Sequence, residues 1–348
     1  MKKLTWAALL ILLFTLALTA CGSGKSDEAG AGQNAAGNAN AASSNAPANP
    51  AADANAAGNG QAAGTGTRTL EYLGQTYQVP AKVERIVITG SMESMEDALV
   101  LDVHPVGAIS FGGAFPERFA KVTDQAESIG EKIQPNFETI LKLKPDVILG
   151  STKFPAEVAE KLGKIAPTVL VSHLAVDWEA NLNLLAELTG KQAAADKAIS
   201  EYQSDLEKAK AELTGKLQDQ NVLAVRIRTG KLFIYPETVF LNPILYEDLG
   251  LKAPAEVAAA KAQEEVTGEQ FAAMNPDYLF IQFASDENQE TKTALDEFLN
   301  DPIVKNVNAV KNGKVFVNVI DPLAEGGPAW SRIEFLKAAQ ERLAEVME

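Results

Sequence analysis

The chain has 348 residues, 46% of them hydrophobic, with a formal charge of −15, two histidines and a single cysteine. A chain this acidic is not a nucleic-acid binder, and any basic ligand site in it has to be local. One thiol excludes an intrachain disulfide.

The first 21 residues read as a targeting segment. Lys2 and Lys3 form a positive start, and Leu4 to Leu18 is an apolar run too short and wrongly flanked for a stable membrane span. It ends in Leu18-Thr19-Ala20-Cys21. Small residues before a lone cysteine match a bacterial lipobox, so Cys21 is expected to become the first mature residue and to carry the lipid. An ordinary A-x-A secretory cleavage fits less well. Residues 22–66 are mostly Ala, Gly, Asn and Ser with no apolar period, which predicts a disordered tether with a reach of roughly 35–40 Å. The GSGK run at 22–25 resembles the tail of a phosphate-binding loop, but it lacks the motif's first glycine and any flanking strand or helix.

About 280 residues follow, enough for two lobes. The stretch 69–79 predicts a hairpin, RIVITG at 85–90 a buried strand, 92–101 a helix and VGAISF at 106–111 a strand. FETILKLK at 137–144 reads as a helix, PDVILGS at 145–151 as a strand and 167–172 as a short strand. Strands alternating with helices predict a parallel α/β sheet. We place an N-terminal α/β lobe at 67–177 and a helical linker at 178–220. Within the linker, Ile199, Tyr202, Leu206, Ala209 and Leu213 form one helical stripe. A C-terminal α/β lobe spans 221–348.

That second lobe opens on VLAVRIRTGKLFIYP at 222–236: a strand, a Thr229-Gly230 turn and a second strand. Strand side chains alternate faces, so Val225 and Ile227 face a core while Arg226 and Arg228 share one space. The two arginines are either solvated or paired with nearby acids, or they receive an anion. Helices are expected at 241–250, 292–300 and 329–346, and strands at 276–283 and 314–319. An internal repeat divides the chain. Asn136-Phe137-Glu138 precedes Pro145-Asp146 at the same offsets by which Thr267-Gly268-Glu269 precedes Pro276-Asp277.

Several residues have plain readings. Lys132, Lys153 and Lys261 taken singly are solvated lysines. Glu138 and Glu269 suit helix N-termini. ESMED at 93–97 is expected to be a solvated helix face rather than a cation site. His104 and His173 are expected to be structural. Trp178 and Trp330 are expected to be packing residues, with Trp330 near a cleft. No G-x-S-x-G or H-E-x-x-H motif is present, and the histidines are too few for a usual triad or zinc centre.

The stretches RIVITGSMESMEDALVLDVHPVGAISF, IGEKIQPNFE, KPDVILGSTKFP, RIRTGKLFIYPE, YEDLGLKAP, AAAKAQEE and VNVIDPLAEGGPAW resemble substrate-binding lipoproteins of bacterial ABC importers. The resemblance is to the receptor type for ferric triscatecholate siderophores such as bacillibactin, and it runs from about residue 70 to the end. It implies a class III periplasmic-binding-protein-like fold: two Rossmann-like lobes with mostly parallel sheets, joined by one long α-helix. It also implies a ligand-binding set of Lys132, Lys153, Arg226, Arg228 and Lys261 with Gln263 beside them, and docking of Glu138 and Glu269 on an ABC permease with its cytoplasmic ATPase. Thr229 stands where such receptors often carry glutamine.

The expected protein is a non-enzymatic monomer held on the outer face of a Gram-positive membrane through Cys21. It needs no cofactor and no metal ligands of its own, because the iron arrives already six-coordinate in the siderophore. Guanidinium groups answer the trianion's charge and stack on catechol rings. The competing ligands are haem, cobalamin, a hydroxamate siderophore and a bare metal ion; a lipid-anchored hydrolase is the competing enzyme class.

Overall fold

The computed structural model describes residues 66–346. The targeting segment, the expected lipid-bearing Cys21 and the tether up to residue 65 lie outside the described residues. Among the described residues no helix is long and apolar enough to cross a membrane.

Lobe one begins with the antiparallel hairpin β1 (Thr67–Tyr72) and β2 (Gln75–Pro80). Then come β3 (Ile86–Ile88), α1 (Met92–Leu101), the short strands β4 (Gly107–Ala108), β5 (Glu127–Ser128), β6 (Gly130–Glu131) and β7 (Gln134–Pro135), α2 (Phe137–Leu143), β8 (Val147–Ser151), α3 (Ala156–Gly163) and β9 (Thr168–Val171). The sheet has the order β5-β4-β3-β8-β9 and is parallel throughout. Its central strands β3 and β8 are buried throughout, as a sheet covered on both sides requires. Ile86, Ile88, Val147 and Leu149 enter the main core, while Val87 and Ile148 enter a smaller one with Ile129, Ile140 and Leu162.

Two helices lead away, α4 (Trp178–Thr189) and α5 (Gln192–Leu217). Gly190, at φ +69°, caps α4 in the left-handed conformation. The 26 residues of α5 span about 39 Å at 1.5 Å per residue. Tyr202, Leu206, Ala209 and Leu213 are buried along one stripe.

Lobe two contains β10 (Val222–Arg228), β11 (Lys231–Ile234), a π-helix over Pro243–Asp248, α6 (Ala255–Ala259), β12 (Glu264–Val266), α7 (Gly268–Met274), β13 (Tyr278–Phe283), α8 (Ala294–Asn300), α9 (Asn308–Lys311), β14 (Val315–Val317) and α10 (Ala329–Glu345). The sheet order is β12-β11-β10-β13-β14. It is mixed: β10, β13 and β14 are parallel, while β11 and β12 add antiparallel strands on one edge. The β10–β11 turn places Thr229 at φ +50° and Gly230 at φ +76°. Two successive left-handed residues follow the right-handed twist of a hairpin.

The sequence repeat is a repeated structure. Asn136 caps α2 and Thr267 caps α7 through their side chains. Lys144 and Asn275 end these helices at φ +46° and +43°. Asp146 then accepts the amides of Glu84 and Arg85, and Asp277 accepts that of Asn221. Each Pro-Asp pair thus clamps its helix to the start of the first strand of its lobe's five-stranded sheet.

One apolar core runs through both lobes and both linker helices, from Leu70 to Leu343. At its middle sits Arg332, 1% exposed. Its guanidinium pairs with Asp248 of the π-helix, donates to the Ala175 carbonyl at 3.2 Å and lies 5.2 Å from the Trp178 ring. Tyr202 of α5 donates to the same Asp248 at 2.6 Å.

Candidate functional site

Open α/β sheets bind ligands beyond the carboxyl ends of their strands, where strand order reverses. In lobe one that point lies between β3 and β8, and in lobe two between β10 and β13. A cavity of about 600 Å³ occupies the space between these ends. Lys153 reaches it from the turn after β8, where the Lys153 amide donates to Ser151 Oγ at 3.2 Å. Gly90, at φ +72°, is the partner that lets the turn close: a Cβ there would sit 2.2 Å from the Phe154 ring. Lys132 reaches the cavity from the β6–β7 hairpin. Arg226 and Arg228 come from the last residues of β10, and Gln263 from the segment before β12.

The two arginines do face one space, and an acid already joins them. Arg226 Nε donates to Glu287 Oε2 at 2.9 Å, and Arg228 Nη2 lies 3.0 Å from Glu287 Oε1. Arg226 also reaches the carbonyls of Pro322 and Ala324, while Arg228 Nη1 donates to Gln263 Oε1 at 3.1 Å. Tyr235 donates to that same oxygen at 3.1 Å and packs 4.7 Å from the Phe240 ring. Lys132 crosses from lobe one to pair with Glu325, and Arg118 crosses to Asp321 at 2.8 Å. Phe111, Phe115, Tyr235 and Phe240 supply aromatic wall.

Five cations therefore line the cavity, Arg118, Lys132, Lys153, Arg226 and Arg228, against four carboxylates, Glu117, Asp286, Glu287 and Glu325. An uncompensated cluster of cations would be costly to hold together; here the acids offset them. Burial works against ionisation of Glu325, yet Lys132, Arg226 and Lys153 hold its carboxyl at about 2.

Lys261 is exposed, its amide donates to the Glu264 side chain at 3.1 Å, and it stands two residues before Gln263, which lines the cavity. Two expectations need correction. The ESMED face is not solvated: Glu93, Glu96 and Asp97 are at most 6% exposed. Glu96 accepts the Glu325 amide at 2.9 Å and the Ser331 hydroxyl, and Asp97 accepts the Ala329 amide at 3.3 Å, so tertiary partners draw these acids inward. Trp330 lies against α5, in a groove with Ala198 and Tyr202, and not in the cavity. Trp178 is a buried packing residue, 5.2 Å edge-on from Tyr202. His104 pairs with Asp124 at 2.7 Å, away from the cavity, while His173 bonds Thr152 at 2.8 Å and lines a small cavity beside the main one. Glu138 and Glu269 are exposed in the first turns of α2 and α7.

Burial lifts the carboxyls of Glu93 and Glu96 to about 7 and that of Asp97 well above its ordinary value. The folded protein then holds protons that the unfolded chain releases near pH 4.5, so stability falls as pH rises from about 4.5 through 7. Glu325 acts in the opposite sense, but its stabilisation is lost only as pH falls below about 4.5. The thermal midpoint is expected to drop by roughly 5 °C or more between pH 5.5 and pH 8, and Glu96→Gln to flatten that drop. Scanning calorimetry across this range checks both.

Residues 87–318 match the periplasmic binding protein family. The chain belongs to that family, a class of carriers whose two α/β lobes enclose a ligand. An iron-uptake system-binding protein of Bacillus subtilis strain 168 is 46% identical over 345 residues, 99% of this chain and 100% of that protein. A probable siderophore-binding lipoprotein of the same organism, YfiY, is 32% identical over 261 residues, 71% of this chain and 78% of that one. The crystal structure of the triscatecholate siderophore-binding protein FeuA of Bacillus subtilis, complexed with ferri-bacillibactin, superposes with a TM-score of 0.76. It is 51% identical and covers 80% of this chain and 98% of its own.

Proposed function

We propose that this protein is the extracellular, lipid-anchored binding component of an iron-siderophore ABC importer, and that it captures ferric triscatecholates of the bacillibactin and enterobactin type. The supporting observation is the cavity at the carboxyl ends of both sheets, with cations from both lobes and an aromatic wall. The likeness to FeuA bears on the ligand class. The ligand is a compact trianion with flat aromatic faces. Lys132, Lys153, Arg226 and Arg228 meet its charge, Gln263 its polar edge, and the aromatic side chains its rings. Arg118, which sequence reasoning missed, joins the set. Ferric iron is cargo, already fully coordinated, so the protein acts without a cofactor and as a receptor rather than an enzyme.

Titration of tryptophan fluorescence with ferric bacillibactin, ferric enterobactin and a ferric hydroxamate tests this. Both catecholates are expected to bind, and the hydroxamate, which lacks the negative charge, to bind about 100-fold or more weakly, from two lost charge contacts. Equal binding of all three would sink the reading.

Delivery to the permease is proposed to run through Glu138 and Glu269. The two acids are exposed, are held in matching local frames and make no ion pair among the described residues. In reconstituted vesicles, Glu138→Ala/Glu269→Ala is expected to lower iron uptake about tenfold or more through lost charge pairing while leaving siderophore affinity unchanged. Uptake at the wild-type rate would refute the docking role. The continuous core through both lobes favours a small hinge change on binding, and a constant radius of gyration in solution scattering is the expected sign.

A further inference from the structure

Glu93 has no structural task that matches its burial. Its neighbours on α1 do: Glu96 and Asp97 bind the segment 325–331 through the hydrogen bonds described above. Glu93 is 6% exposed, and the hydrogen bonds its carboxyl accepts are local, from its own backbone amide and from the Ser91 hydroxyl at a long 3.4 Å. Its side chain lines a cavity of about 70 Å³ that shares Lys153, Val239, Phe240 and Glu325 with the main cleft. The acid thus sits one side chain behind the place where an anion would bind.

The charged groups around Glu93 come from several elements. Lys132 reaches toward it from the β6–β7 hairpin, Lys153 from the turn after β8, and Glu325 from the segment before α10; Glu96 and Asp97 share its helix. His173, after β9, lines the same small cavity. Asp97 Oδ2 is buried without a hydrogen-bond partner, which suits a protonated or easily protonated cluster. Lys132 is paired to Glu325. A trianion seated on Lys132 and Lys153 withdraws that cationic support and adds three negative charges nearby. A buried carboxylate in this position is neutralised more readily than it is kept ionised.

We propose that the protein takes up a proton from solvent when it takes up its anionic ligand, and that the Glu93 carboxylate in the small cavity is the group that receives it. The inference rests on the reading of the cleft given above. Burial brings the Glu93 carboxyl to about 7, so near neutral pH part of the population carries this proton beforehand and the rest acquires it on binding. At higher pH the uptake approaches one proton, and apparent affinity falls by up to about tenfold per pH unit.

Isothermal titration with ferric enterobactin in phosphate and in Tris at pH 7 and pH 8 tests this on the full chain. The observed heat is expected to vary with buffer ionisation enthalpy, with a slope that corresponds to proton uptake and is larger at pH 8 than at pH 7. Glu93→Gln is expected to abolish that slope, and His173→Gln to leave it. A flat dependence in the wild type, a slope that survives Glu93→Gln, or one lost in His173→Gln overturns the proposal. Wild-type affinity is also expected to weaken from pH 7 to pH 8, and an affinity that stays constant over that unit overturns the proposal without any variant. Binding with no buffer dependence ends this inference alone, whereas no binding at all ends the functional reading as well.

Discussion

Replacing Arg226 and Arg228 together by alanine is expected to weaken ferric bacillibactin binding by about 10²–10⁴-fold. Two hydrogen bonds to a charged partner contribute about 1.5–3 kcal/mol each, and about 1.4 kcal/mol is tenfold in affinity. The double change also leaves Glu287 without either of its cations, so a carboxylate faces the incoming trianion unscreened. The single variants are expected to differ. Arg228 is half-exposed and its loss acts on binding alone. Arg226 is 7% exposed and also holds the Pro322 and Ala324 carbonyls, so its loss lowers stability too. Fluorescence titration with parallel denaturation separates these effects; double-variant affinity within threefold of wild type would remove β10 from the ligand site.

Arg332→Met carries the largest expected stability effect. Breaking a buried ion pair by removing one partner costs about 3–5 kcal/mol, because the remaining charge is stranded. Here Asp248 would be left, among the described residues, with the Tyr202 hydroxyl as its hydrogen-bond partner. The thermal midpoint is expected to fall by roughly 6–20 °C. Adding Asp248→Asn to Arg332→Met is expected to recover part of the loss, since no lone charge then remains buried. If the double variant were less stable than the sum of the singles, the pair would not be the source of the effect.

The periodic parts of the fold were legible. The apolar runs of β10 and β13 and the stripe of α5 carry their own signal, and the Thr229-Gly230 turn is where two strand patterns meet. Short elements were not. The helix Ala156–Gly163 and the edge strand Glu264–Val266 carry too few residues for a period to show. The stretch 106–111 reads as a full strand but contributes only Gly107–Ala108, because the chain leaves the sheet for the Phe111–Ala114 turn.

Four of the five cations that line the cavity, Lys132, Lys153, Arg226 and Arg228, were named through the resemblance; Arg118 and the carboxylates were not. Glu287 and Glu325 stand in loops after β13 and β14, where sequence carries no periodicity. The one available signal was physical: paired strand arginines call for an anion, and the nearest candidates are the protein's own. Burial of Glu96 and Asp97 had no local signal, because their partners Ser331, Ala329 and the Glu325 amide lie more than two hundred residues away.

The clamp repeated at Asp146 and Asp277 has a consequence for assembly. Each lobe carries its exposed glutamate on a helix built, capped and tied down in the same manner, so under the docking proposed above the two acids would be equivalent footholds. A partner that is itself two-fold symmetric would accept it in either of two orientations related by a half-turn.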